Sequence, residues 1–192
     1  MERIAKIERT TKETQIVAEF NLDGGEITID TGIGFFDHML YAFAFYAGIG
    51  LNLQAKGDLH VDGHHTVEDV GIVIGQALKG AFGERKGIRR FASAYVPMDE
   101  ALLFAALDIS ARPYLVFDAP MPQERCGDYE TCLTVEFMRA LATHAGFTLH
   151  MKALYGSNAH HITEGLFKAL GLALKDAKRI ESDVVTSTKG ML

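Results

Sequence analysis

The pattern His-His-x-x-Glu occurs twice, as His64-His65-Thr66-Val67-Glu68 and as His160-His161-Ile162-Thr163-Glu164, at an offset of 96 residues in a chain of 192. A self-match at half the chain length constrains the fold strongly, because it implies one structural half built twice. The match runs past the pentads. Val70, Ile74, Ala77, Leu78 and Lys79 return at the same offset as Leu166, Leu170, Ala173, Leu174 and Lys175, and Gly75 pairs with Gly171. Their spacing is helical, so each pentad opens an amphipathic helix, expected over residues 65–82 and 161–178.

Upstream the match resumes after a two-residue gap. The block Phe36-Asp37-His38-Met39-Leu40 through Ala47-Gly48-Ile49 lies opposite Thr134-Val135-Glu136-Phe137-Met138 through Ala145-Gly146-Phe147, at an offset of 98. Each block reads as a helix closed by a glycine. A strand follows each, at 51–55 and 148–152, and three β-patterned segments precede each, at 3–9, 15–21 and 26–30 and at 91–96, 102–109 and 114–117. Asp23-Gly24-Gly25 reads as a hairpin turn between the second and third strands. Each half is therefore predicted as βββαβα, and the whole as an α+β fold with its helices packed between two four-stranded sheets. The chain is read as a single unit over residues 1–192, with pseudo-equivalent halves of about 1–90 and 91–192. The boundary falls around Lys86-Gly87-Ile88-Arg89-Arg90, with no flexible linker.

Composition narrows the function classes. With 48% apolar residues the chain can bury a core. A net charge of −6 argues against a nucleic-acid surface. The start, Met1-Glu2-Arg3-Ile4, has no apolar core of a signal peptide. The richest uncharged run, residues 39–53, is too short for a bilayer and carries Gly48, Gly50 and Asn52, so no membrane partner is expected. Cys126 and Cys132 lack the C-x-x-C spacing and read as free thiols of a reducing compartment, which makes the cytoplasm the expected location.

The pentads carry the chemistry. Residues four apart on a helix differ by about 40° in direction, whereas neighbours differ by about 100°. His64 and Glu68 therefore share a face, as do His160 and Glu164, while His65 and His161 point elsewhere. Two metals, each drawing ligands from both halves or from neighbouring subunits, fit this geometry better than one. His38 lies opposite Glu136 in the duplication, and both side chain types bind metal. His60, His144 and His150 have no counterpart and are not taken as ligands. A donor set without thiolate excludes a structural Cys-type zinc site and suits six-coordinate manganese, iron or cobalt, or catalytic zinc. Gly32-Ile33-Gly34, ahead of a helix, could bind an anion or serve as a turn. Arg89-Arg90, Arg112 and Lys189 of Ser187-Thr188-Lys189-Gly190 are candidate anion contacts.

Taken together with Arg9-Thr10-Thr11-Lys12-Glu13-Thr14, Gly32-Ile33-Gly34-Phe35-Phe36-Asp37-His38-Met39-Leu40 and Asp62-Gly63 before the first pentad, these motifs resemble the imidazoleglycerol-phosphate dehydratases of histidine biosynthesis, in order and along the whole chain. The resemblance implies a fold like ribosomal protein S5 domain 2. It implies dehydration of D-erythro-1-(imidazol-4-yl)glycerol 3-phosphate to 3-(imidazol-4-yl)-2-oxopropyl phosphate, with two Mn2+ ions per active site. It further implies a homo-oligomeric shell of 24 subunits with sites between subunits. The implied metal ligands are His38, His64, His65, Glu68, Glu136, His160, His161 and Glu164; some members carry His where this chain has Glu136. The implied catalytic residues are Glu13, His38, His64, Glu68, His160 and Glu164, with Glu13 among the proton carriers. The implied substrate contacts are Glu13, His38, His64, His65, Glu68, Arg90, Arg112, His160, His161, Lys168, Ser187, Thr188 and Lys189. The family's motif has Gly where this chain has Ala111, a change expected to matter little. Two other classes compete: a dinuclear metallohydrolase, and a non-catalytic metal-binding assembly protein, which gives no reason for the Ser187-Thr188-Lys189 tail.

Overall fold

In the computed structural model, which describes residues 2–190, the first half runs β1 (Ile4–Thr10), β2 (Thr14–Asn21), β3 (Ile27–Asp30), α1 (Gly34–Ala47), β4 (Gly50–Gly57) and α2 (His64–Phe82). The second runs β5 (Phe91–Met98), β6 (Ala101–Asp108), β7 (Tyr114–Asp118), a short hairpin of β8 (Arg125–Cys126) and β9 (Tyr129–Glu130), then α3 (Leu133–Ala145), β10 (Thr148–Tyr155) and α4 (Ala159–Ala177). The two four-stranded sheets have the orders β1-β2-β4-β3 and β5-β6-β10-β7. In each, the final pairing is parallel and the others antiparallel. The α+β fold class expected from the sequence is the one observed. Strand faces follow from alternation: Thr14, Ile16, Ala18 and Phe20 of β2 are buried while the residues between them are exposed.

One sequence expectation fails. Asp23-Gly24-Gly25 does not close a hairpin, because β4 lies between β2 and β3. The two glycines instead carry the chain across the start of β4, with φ of 106° at Gly24 and 146° at Gly25. A Cβ at Gly50 would lie 3.0 Å from both Gly24 O and Gly25 Cα, so the crossing needs bare backbone on both sides. The β8–β9 hairpin has no counterpart in the first half and was not expected; its two-residue strands give no periodicity to read.

The helices fill the space between the sheets and pair across the halves: α1 packs on α4, and α2 on α3. The duplicated glycines mark these seams. Gly75 abuts Leu141 O and Ala145 N of α3, and Gly171 abuts Phe43 O and Ala47 N of α1. One continuous buried apolar cluster draws on both halves. At its centre Phe36 meets Phe137 edge-on at 5.4 Å, and Phe137 stacks on Phe167 at 5.2 Å. Truncating one such ring to Ala costs about 3–5 kcal/mol. Around residues 87–90 the backbone N–H groups of Gly87, Arg89 and Arg90 donate hydrogen bonds to Val184 O, Arg179 O and Ala177 O.

Candidate active site

The helix N-termini converge at one end of the molecule. A Cβ at Gly63, the N-cap of α2, would lie 3.2 Å from Ile33 at the start of α1 and 3.3 Å from Leu133 at the start of α3. The Phe35 ring sits 5.0 Å from the His160 ring at the start of α4. The anion at Gly32-Ile33-Gly34 is supplied from within: the Asp128 carboxylate accepts hydrogen bonds from Gly34 N and Phe35 N. Those amides are the orphan donors of the first turn of α1, and the chain satisfies them itself.

At this end His38, His160 and Glu164 come together, each offering a ligand atom within 4.8 Å of the others. The Glu164 carboxylate lies 3.1 Å from His160 Nε2 and 3.5 Å from His38 Nε2. Burial pushes the Glu164 carboxyl up, but Lys168 at 2.8 Å, with His38 and His160, holds it below the usual carboxylate range. Donors around one ion at about 2.0–2.2 Å each lie up to about 4.4 Å apart, so a small closure would seat a divalent cation. Two imidazoles and an ionised carboxylate are a suitable donor set for one.

In the other half His64 Nε2 and Glu68 are 3.8 Å apart, with both side chains about half exposed. Glu136 occupies on α3 the place of His38 on α1, but Arg139 engages its carboxylate. Among the described residues, only the His38 group assembles three donors. The adjacent histidines diverge, with ring planes at 81° for His64 and His65 and 78° for His160 and His161. His65 Nδ1 lies 3.1 Å from Asp58, and Glu13, in the β1–β2 turn, is 3.9 Å from His65 Nε2. His161 Nδ1 lies 2.6 Å from Glu100. Asp58 and Glu100 were not singled out from the sequence. Glu100 immediately precedes β6 as Glu13 precedes β2, a correspondence that a fixed offset of 96 or 98 hides but strand alignment reveals.

Arg90, Arg112, Ser187, Thr188 and Lys189 line a separate cavity of about 500 Å³. Asp108 fixes the Arg90 guanidinium through two hydrogen bonds of 2.7 and 3.1 Å, and Arg90 also donates to Thr186 O. Arg112 reaches the same carboxylate at 3.6 Å. Arg89 turns away to Glu181, and Lys168 stays with Glu164. Ala111 takes a left-handed backbone, φ 60°, which an alanine adopts at a cost of about 1–2 kcal/mol. The backbone of Arg90 is bonded to Ala177 O, at the far end of α4 from His160. At 1.5 Å per residue, that helix sets the basic cavity and the His38 group roughly 26 Å apart within one chain.

A family model described as imidazoleglycerol-phosphate dehydratase matches residues 31–174. The chain is 58% identical over 195 residues to an imidazoleglycerol-phosphate dehydratase of Acetivibrio thermocellus, covering 100% of both. It is 54% identical over 194 residues to one of Clostridium botulinum, covering 100% of this chain and 99% of the relative. Among solved structures, imidazoleglycerol-phosphate dehydratase from Staphylococcus aureus superposes with a TM-score of 0.85 at 40% identity, over 92% of this chain and 99% of that one. The structure from Pyrococcus furiosus gives 0.85 at 43% identity, over 97% and 100%.

Proposed function

The chain belongs to the imidazoleglycerol-phosphate dehydratase family, hydro-lyases of histidine biosynthesis, and we propose that it converts D-erythro-1-(imidazol-4-yl)glycerol 3-phosphate to 3-(imidazol-4-yl)-2-oxopropyl phosphate and water with two Mn2+ ions per active site. The observation that carries the reading is the convergence of His38, His160 and Glu164, with the basic cavity at the opposite end of α4. His38, His160 and Glu164 would hold one ion, and His64, Glu68 and Glu136 the other. His65 and His161, aimed away from their own pentads, are left to complete ions in neighbouring subunits. When bound, the ions supply Lewis-acid polarisation of substrate nitrogen and oxygen.

The side chains do the rest. Arg90, Arg112 and Lys189, with the hydroxyls of Ser187 and Thr188, hold the phosphate by charge-assisted hydrogen bonds. Lys168 steadies the Glu164 carboxylate. Glu13 takes the proton from C2 of the glycerol chain as hydroxide leaves C1 to give the enol, and hands it to C1 as the enol ketonises; the enol O–H proton released in that step converts the hydroxide to water. A small substrate cannot span roughly 26 Å, so a complete site needs donors and basic residues from different subunits. That favours a homo-oligomer, read as the 24-subunit shell, in which each chain acts as one unit of two pseudo-equivalent halves. No helix among the described residues is long and apolar enough to cross a membrane, in keeping with a cytoplasmic location.

The test is Glu13→Gln, assayed for both metal content and product. It should retain Mn2+ and lose about 10²- to 10⁴-fold in turnover. Unchanged turnover removes Glu13 from the mechanism. Release of inorganic phosphate in place of the oxopropyl phosphate would indicate a metallohydrolase, and metal binding without any turnover an assembly protein.

A further inference from the structure

The second histidine of each pentad makes a contact of one kind through a carboxylate from an unrelated place. His65 Nδ1 lies 3.1 and 3.2 Å from the two oxygens of Asp58, just after β4. His161 Nδ1 lies 2.6 Å from Glu100 Oε2, in the β5–β6 turn. An ionised carboxylate only accepts hydrogen bonds, so Nδ1 must donate. A neutral imidazole with its proton on Nδ1 leaves Nε2 bare. We infer that Asp58 and Glu100 are positioning residues that lock His65 and His161 in the Nδ1–H tautomer and turn each Nε2 outward as a metal donor. The inference rests on the proposed metal role of these imidazoles.

The two anchors are built differently. Among the described residues, Asp58 uses its carboxylate only on His65. Glu100 is held at both ends: Oε1 accepts from Ser157 N at 3.0 Å and Asn158 N at 2.9 Å, and Oε2 serves His161. In the strand register Asp58 follows the end of β4 as Gly156 and Ser157 follow the end of β10, so the second half has no carboxylate there. Glu100 fills the gap from the turn in which the first half carries Glu13. One consequence is a division of labour. Glu13 is freed for proton transfer because Asp58 orients its histidine, whereas Glu100 is committed to orientation.

The difference makes opposite predictions for the isosteric amides. In Asp58→Asn the side chain can turn its oxygen to His65 Nδ1 and keep the tautomer. In Glu100→Gln the oxygen is needed by Ser157 N and Asn158 N, so the amide NH2 faces His161 Nδ1. That ring must then accept, carry its proton on Nε2 and lose its metal lone pair. Mn2+ titrations of the assembled protein, read by the electron paramagnetic resonance signal of free Mn2+, test this together with melting temperature. Glu100→Gln, Glu100→Ala and Asp58→Ala should each weaken one ion about 10- to 100-fold, while Asp58→Asn stays within about threefold of wild type. For the amide pair the melting temperature of the metal-free protein should be unchanged. If the alanine variants do not assemble, the amide pair decides alone. Equal Mn2+ affinities for wild type, Asp58→Ala and Glu100→Gln, or an Asp58→Asn variant as weak as Glu100→Gln, would overturn the inference. Wild-type protein that holds no Mn2+ overturns the metal reading itself, and the inference with it.

Discussion

Gly171→Ala is the most direct probe of how the fold sets the site. A Cβ there would lie 2.7 Å from Phe43 O and 3.1 Å from Ala47 N, both backbone atoms of α1 that cannot swing aside. Restoring ordinary contact requires α4 to withdraw from α1 by about half an ångström, an overpacking that costs about 1–3 kcal/mol. The better helix propensity of alanine returns about 1 kcal/mol. The net loss, up to about 2 kcal/mol, lowers the melting temperature by up to about 8 °C in a chain of this size. Gly171 lies seven residues from Glu164 on one face of α4, so the same withdrawal shifts Glu164 and His160 relative to His38. Ligand distances tolerate only about ±0.2 Å, so Mn2+ affinity should fall with stability. Gly80→Ala is the control, because its Cβ would meet only Ala5 Cβ at 3.4 Å, and it should gain about 0.5–1 kcal/mol. Scanning calorimetry and a Mn2+ titration on both variants check the reasoning. A Gly171→Ala protein that melts above wild type, as Gly80→Ala should, would refute it.

Glu68→Gln should lose one ion and turnover together, measured by metal analysis beside a dehydratase assay; survival of both removes Glu68 from the ligand set. Burial pushes the Lys178 ammonium down to about 8 from an ordinary value of 10.5, while its Nζ donates to Leu22 O and Gly48 O. Between those values the unfolded chain binds more protons than the folded one, so stability rises with pH. Lys178→Met should flatten that rise between about pH 8 and pH 10 in urea midpoints taken on both proteins. Ala111→Gly relieves a left-handed alanine and should gain about 0.5 kcal/mol after the entropy of glycine is subtracted, visible as a melting temperature about 1–2 °C higher.

The eight main strands and the four helices were legible because their signals are local. Val70, Ile74 and Ala77 repeat at helical spacing, and β2 alternates residue by residue. The crossing at Asp23-Gly24-Gly25 was not legible, because turn chemistry is the same whether the next strand pairs with its predecessor or leaves a slot for β4. Which strand fills that slot is a non-local matter. The site divides along the same line. His38 could be placed opposite Glu136 from the duplication, but its approach to His160 and Glu164 depends on α1 packing against α4, which no spacing encodes. Asp128, Asp58 and Glu100 contact Gly34, His65 and His161 from loops and turns, where no periodicity exists to flag them.

The crosswise pairing of the helices has a consequence for how the three-residue group can be lost. His38 stands on α1, while His160 and Glu164 stand on α4. Their meeting is therefore a property of the seam between two helices rather than of either one, and a substitution that parts α1 from α4 disperses the group while leaving each of its three side chains in place.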